Sequence, residues 1–112
     1  MKPFLEKTVA DRAIWVKARK QQQPLASFQK ETQPGPRHFY EALQGARPAF
    51  MLECKKASPT KGLSREDFDP ARIASIYQHY ASAISVLPDE KYFQGSFDFL
   101  PVVSQRAPQP IL

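Results

Sequence analysis

A chain of 112 residues has room for one ordinary domain, and an apolar fraction of 42% excludes a disordered composition. The net charge of +5 comes from 16 basic and 11 acidic residues spread along the chain, so it suits nucleic acid, a membrane surface or a phosphorylated metabolite without choosing among them. No apolar run approaches the roughly 20 residues of a membrane span, and the start, Met1-Lys2-Pro3-Phe4-Leu5-Glu6-Lys7, lacks the apolar core of a secretory signal. The single cysteine, Cys54, excludes an internal disulfide and an all-protein cysteine cluster for zinc. It reads as a reduced thiol packed in a strand of a cytoplasmic protein. As a nucleophile it would need a base, and neither His38 nor His79 lies in a catalytic-cysteine pattern.

In chain order, residues 4 to about 20 predict an amphipathic helix, with Leu5, Val9, Arg12/Ala13 and Val16 on one face and Trp15 and Ile14 widening it. Lys17, Arg19 and Lys20 fall near its end, where cations suit the helix dipole. Residues 24 to 37 read as a loop punctuated by Pro34-Gly35-Pro36. A short helix is expected from His38 to Gln44, with Phe39, Leu43 and Tyr40 as inward candidates and Gly45 as its stop. His38 reads as a surface residue, since no metal-ligand spacing surrounds it.

The run Ala49-Phe50-Met51-Leu52 is too short to separate strand from helix by period, but Pro48 before it and Ser58-Pro59-Thr60-Lys61-Gly62 after it favour a buried strand over 49–54. Glu53 and Lys55 are two apart at its end, so an extended backbone turns both to one face. A carboxylate and an ammonium placed there are costly to bury unless paired or used. Such a pair at the carboxyl end of a strand suits an active site on the rim of a parallel α/β sheet.

A loop of about a dozen residues is expected to reach Phe68, followed by an N-cap at Asp69 with Pro70 in the first helical position. The helix should run to about Tyr80, with an apolar stripe of Ile73, Ile76, Tyr77 and Tyr80. Residues 81–87 predict a second strand ended by Pro88. A loop to Gly95 and a third helix through about Gln105 follow, with Phe97, Leu100 and Val103/Ser104 inward. Ile111-Leu112 then reads as the start of a third strand. The order is helix, helix, then β-α-β-α-β, which predicts a parallel sheet. A sheet of three such strands keeps two open edges, so the chain is expected to be a piece of something larger.

Glu53-Cys54-Lys55-Lys56-Ala57-Ser58-Pro59-Thr60-Lys61-Gly62 resembles the E-x-K-x-x-S-P-S motif of indole-3-glycerol phosphate synthases. The stretch from Ser85-Val86-Leu87 through Tyr92-Phe93-Gln94-Gly95-Ser96 resembles that family's S-V-L-T-[DE]-x-x-[FY]-F-x-G-S block, and Pro110-Ile111-Leu112 the opening of its P-V-L-x-K-D-F block. Residues 4–48 resemble the helical extension before its first barrel strand. The resemblance implies residues 1–48 as the N-terminal helical extension, and 49–112 as the first three strands of an incomplete (β/α)8 TIM barrel. Barrels of this kind need about 250 residues.

The implied activity is that of a carbon–carbon lyase of tryptophan biosynthesis. It closes 1-(2-carboxyphenylamino)-1-deoxyribulose 5-phosphate to indole-3-glycerol phosphate, losing carbon dioxide and water. No cofactor and no metal are implied. The partner is a small phosphorylated substrate, with no nucleic acid and no membrane. The texture of Arg19 to Phe28 resembles the enterobacterial form, in which a phosphoribosylanthranilate isomerase domain follows the synthase. Carried over by motif position, Glu53 and Lys55 are the catalytic pair, Ser58 lies beside the substrate phosphate, and Leu87 and Phe93 line the pocket for the anthranilate ring. Read without the resemblance, Glu53 and Lys55 are as readily a tolerated ion pair as a site, Ser58 is a turn residue before Pro59, and Leu87 and Phe93 are core. Lys61 reads equally as a solvated loop charge. Pro88 departs from the family's usual Thr, which implies a stiffer loop. The family's remaining catalytic groups fall beyond Leu112, so these residues alone are expected to be inactive.

Three other readings compete. Another phosphate-handling barrel would keep the fold and change the substrate, against the Glu53/Lys55 pair. A basic nucleic-acid module would use the +5 charge, but no reader motif is present and the aromatics are not interleaved with the basic residues. A non-catalytic truncated barrel would associate through its open edges.

Overall fold

The structure, a computed structural model, describes residues 3–45 and 47–112. Met1 and Lys2, at the head of the stretch read as lacking a signal core, and Ala46 lie outside the described residues. Contacts divide the chain into one unit up to Gly35 and a second from Pro36 to Leu112.

In the first unit, helix α1 spans Phe4–Gln22, with Glu6 in its first turn and Arg19 and Lys20 in its last, both suited to the dipole. Trp15 is one turn from a cation on each side. The Arg12 and Arg19 guanidiniums lie 4.6 and 5.6 Å from its ring centroid. The apolar stripe expected on α1 is not a buried one: no residue of the helix is buried, and Leu5 and Val9 are 72% and 60% exposed. The segment read as a loop contains two single 3₁₀ turns, Leu25–Ser27 and Gln29–Glu31. They close on their own carbonyls, with Ser27 Oγ donating to Pro24 and Thr32 Oγ1 to Gln29, each at 2.6 Å.

The second unit is built on parallel strands. Helix α2, Phe39–Ala42, is one turn, shorter than the expected span to Gln44. Strand β1, Met51–Cys54, ends at the expected place. The loop expected after it holds a small antiparallel hairpin, β2 Ala57–Ser58 with β3 Gly62–Leu63, turned through Gly62 at φ +68°. A left-handed φ of this kind favours glycine, and Gly62 is what lets the hairpin reverse within three residues. Helix α3, Pro70–Tyr77, starts as read: Asp69 Oδ1 accepts from the Ala71 and Arg72 amides at 3.0 and 3.3 Å, and Pro70 follows.

Strand β4, Ala83–Val86, pairs parallel with β1 in the register Met51–Ala83, Leu52–Ile84, Glu53–Ser85 and Cys54–Val86. Helix α4, Glu90–Phe93, is a single turn inside the segment expected to be loop, and helix α5 is Phe99–Arg106. The third strand is present as one parallel bridge, Ile84 to Ile111. The Ile84 and Val86 amides donate to Pro110 and Leu112, and the Leu112 amide donates back to Ile84. The spatial order is therefore β1, β4, Ile111, with α3 and α5 as the crossovers.

Cys54, Ala74, Ile84, Val86, Val103 and Ala107 form one buried cluster between the sheet and the two helices. Ile84 and Val103 are the largest fully buried side chains, each worth about 1.5–3 kcal/mol of burial. Phe68 and Phe99 close the cluster, ring to ring at 5.4 Å, and so tie the start of α3 to the start of α5.

The expected stripe on α3 needs correction. Ile73 and Tyr77 pack inward, but Ile76 and Tyr80 are 51% and 71% exposed, and the buried residue is Ala74. With the small Ala74 buried in the cluster, the contact face is 73/74/77. The helix stops at Tyr77, so Tyr80 never joins that face. On α5, Phe97 precedes the helix and is 49% exposed, because Ser96 makes a turn whose hydroxyl accepts the Asp98 amide.

Polar bonds gather at the carboxyl ends of α3 and α5. The Arg37 guanidinium donates to the carbonyls of Ser104, Ala107 and Gln109 at 2.9, 2.8 and 3.0 Å. Gln109 Nε2 donates to the Gln78 and Ala81 carbonyls at 2.7 and 3.1 Å, past the end of α3. Arg37, just before α2, is thus bonded to the turn that delivers Ile111 to the sheet.

Candidate active site

The candidate site lies at the carboxyl end of the parallel pair. Cys54 faces the helices, buried to 1% exposure, so the strand alternation turns Glu53 to the other face. There Lys55 Nζ lies 3.2 Å from Glu53 Oε2. Lys55 and Glu53 side chains are 35% and 42% exposed, so the pair is screened and contributes no more than ~1 kcal/mol to folding. The pair sets an ammonium and a carboxylate side by side, both partly exposed.

Tyr77, read from the sequence only as a stripe residue, touches the backbone of this site. Its hydroxyl donates to the Glu53 carbonyl at 2.9 Å. Burial pushes the Tyr77 phenol up, and the neighbouring Cys54 and Glu53 add to it. The same environment raises the Cys54 thiol to about 11, first by burial and then by the Glu53 charge. Cys54 is therefore a packed thiol rather than a nucleophile. No spacing in the sequence signals the Tyr77 contact, which joins residues 24 apart.

The other positions read from the sequence lie on the segments that follow β1 and β4. The Leu87 amide donates to the Cys54 carbonyl at 3.2 Å, which extends the β1–β4 ladder by one bond past the last registered pair. Ser58 lies in β2, and its Oγ accepts the Lys61 amide at 3.3 Å. That bond uses a lone pair and leaves the hydroxyl proton for another acceptor. Phe93 ends α4, which packs against β2. The segment between Leu87 and Phe93 is a tight ring: Asp89 Oδ1 accepts the Tyr92 amide at 2.8 Å, the Asp89 carbonyl accepts the Gly95 amide at 2.8 Å, and Gln94 takes φ +48° to close it. A Cβ at Gly95 would overlap the Leu87 carbonyl oxygen and lie 2.6 Å from the Pro88 carbonyl carbon. Glycine is required there by close approach of backbone, a constraint that the sequence shows only as a Gly before Ser96.

Among the described residues, no group of three or more His, Cys, Asp or Glu could hold a metal ion, and no helix is long and apolar enough to cross a membrane. The described residues here comprise one ammonium–carboxylate pair, Leu87 bonded through its amide to the end of β1, a hydroxyl in the hairpin that follows, and Phe93 on a helix packed against that hairpin.

Comparison with known proteins identifies a family. The family model for indole-3-glycerol phosphate synthase matches residues 5–112. The chain is 82% identical over 112 residues to the tryptophan biosynthesis protein TrpCF of Salmonella typhi, covering 100% of this chain and 25% of that protein. It is 62% identical over 111 residues to the same-named protein of Yersinia pestis, covering 99% of this chain and 23% of the relative. For that of Vibrio parahaemolyticus the identity is 56% over 112 residues, 100% of this chain and 23% of the relative. The chain thus spans about a quarter of the length of the curated relatives it matches. With parallel strands joined by helices and a family match over nearly its whole length, the chain belongs to the indole-3-glycerol phosphate synthase family.

Proposed function

We propose that this chain supplies the first part of an indole-3-glycerol phosphate synthase: the helical extension, residues 1–48, and the first three strands, residues 49–112, of a (β/α)8 barrel. The observation that carries the reading is the Glu53–Lys55 pair, held at 3.2 Å at the carboxyl end of the first parallel strand of a chain matching that family. In such barrels chemistry sits at that end of the strands.

The reaction is a decarboxylative ring closure. A bond forms between the ring carbon that carries the carboxylate and the ketone carbon of the sugar chain, the ketone oxygen takes a proton, carbon dioxide leaves, and water follows. Lys55 is suited to hold the anionic substrate and deliver the proton to the ketone oxygen. Glu53, 3.2 Å away, is suited to orient Lys55. Ser58, with its hydroxyl proton uncommitted, is suited to the phosphate, and Leu87 and Phe93 to the anthranilate ring. No cofactor enters this scheme. A cytoplasmic location and a following isomerase domain go with the reading.

The test joins the whole 112-residue chain, after Leu112, to the part of the 82% identical relative beyond the aligned region. The chimera is expected to form indole-3-glycerol phosphate. Glu53→Gln and Lys55→Met should each lower kcat/KM by about 10²-fold or more. A chimera in which both substitutions leave turnover unchanged would overturn the reading. A polypeptide of the 112 residues alone is expected to show no turnover.

A further inference from the structure

The face that carries Glu53 and Lys55 holds a third polar group that the proposed chemistry does not use. In β4, Ile84 and Val86 are buried in the cluster under the helices. Alternation therefore turns Ser85, which is half-buried, to the opposite face. The register sets Ser85 directly beside Glu53. In-register neighbours on adjacent strands lie about 4.8 Å apart, a gap that a carboxylate side chain and a hydroxyl can close. A parallel strand covered on both faces ordinarily reads as a continuous apolar run. Here Ala83-Ile84-Ser85-Val86-Leu87 is interrupted only at the position facing the carboxylate. Glu53 commits Oε2 to Lys55 Nζ, which leaves Oε1 for another donor. The Ser85 hydroxyl has no hydrogen-bond partner among the described residues.

We propose that Ser85 is a positioning residue for Glu53, donating its hydroxyl proton to the carboxylate once substrate draws Lys55 toward itself. The inference rests on the reading of Glu53 and Lys55 as the reacting pair. With Lys55 engaged by substrate, the carboxylate would otherwise swing free. A hydroxyl from the neighbouring strand keeps it aimed. The titratable groups around Glu53 are Lys55, on its own chain segment, and Cys54 and Tyr77, on which its charge acts from the strand and from α3.

The experiment uses the chimera described above, with Ser85→Ala, Ser85→Thr and Glu53→Gln. Ser85→Ala is expected to lower kcat roughly 10-fold, the effect of one hydrogen bond to a charged group. It should also move the acidic limb of the kcat pH profile, which reports the substrate complex, upward, because a carboxylate that loses a donor is easier to protonate. Ser85→Thr, which keeps the hydroxyl and suits a strand, should restore both. A packing role would leave the acidic limb in place. Should Ser85→Ala not fold, the acidic limb for Ser85→Cys, a weaker donor of similar size, decides: an unmoved limb overturns the proposal. If Glu53→Gln abolishes turnover while Ser85→Ala changes neither kcat nor the profile, the Ser85 proposal is overturned and the reading of Glu53 stands. If Glu53→Gln turns over normally, the reading of the pair fails and the role of Ser85 fails with it.

Discussion

Replacing Arg37 by Met keeps much of the side-chain volume and removes the guanidinium. Three carbonyls then lose their donor: Ser104 in the last turn of α5, Ala107 just past it, and Gln109 before Ile111. The Ser104 carbonyl belongs to the group that a helix end leaves without intrahelical partners, so the side chain is acting as its cap. Each bond to a charged donor contributes about 1.5–3 kcal/mol, but the three share one rigid group and part-buried carbonyls can recover water. A net loss of roughly 2–4 kcal/mol is expected, less than the sum of three separate bonds. The loss should be local, because the bonded segment delivers Ile111 to the sheet. The assay is peptide-level hydrogen exchange on the chimera. The Ile84, Val86 and Leu112 amides, all bonded across the β4–Ile111 seam, should lose protection by roughly 30- to 1,000-fold if local opening governs their exchange. Amides in α3 should change little. Arg37→Met with unchanged protection at 84–86 and 110–112 would refute the assignment of Arg37 as the residue that holds this strand in place.

Gly95→Ala should destabilise by about 3 kcal/mol, the upper end for overpacking, since the added methyl meets the backbone of Leu87 and Pro88 and no rotamer relieves it; a thermal-unfolding midpoint equal to the parent's would contradict this. Cys54, with its thiol raised from 9.0 to about 11, should react with a thiol-alkylating reagent at pH 8 roughly 100-fold more slowly in the folded chimera than in denaturant. The sign for stability follows: the thiol's contribution is complete below pH 9 and is lost as pH rises from 9 toward 11, where the unfolded chain ionises first, so the denaturation midpoint should fall across that window faster than in Cys54→Ala. Asp69→Ala should cost about 1 kcal/mol by removing the acceptor for the Ala71 and Arg72 amides, and Asp69→Asn should keep most of it; equal midpoints for both would show that the cap contributes nothing.

Local chemistry was legible in the sequence. Asp69-Pro70 set the start of α3 because an N-cap and a proline at the first helical position act within one turn. Pro48 and the Ser58–Gly62 turn bounded β1, and the two-residue spacing of Glu53 and Lys55 put both on one face, since strand alternation needs no tertiary information. The motif resemblance named the family, and the family model matches the same stretch. What the tertiary structure decided were the pairings between residues far apart in the chain. On α3, periodicity marks apolar residues but not which of them the neighbouring elements cover; the small Ala74, not Ile76, is buried in the cluster. The Tyr77 hydroxyl reaches the Glu53 carbonyl across 24 residues, and Arg37 reaches Ala107 across 70. Ser85 faces Glu53 only because one of the two possible alternations in β4 sends Ile84 and Val86 under the helices. Spacing along the chain fixes which side chains share an element's face. Register and helix packing fix which faces meet, and these depend on burying the whole cluster at once.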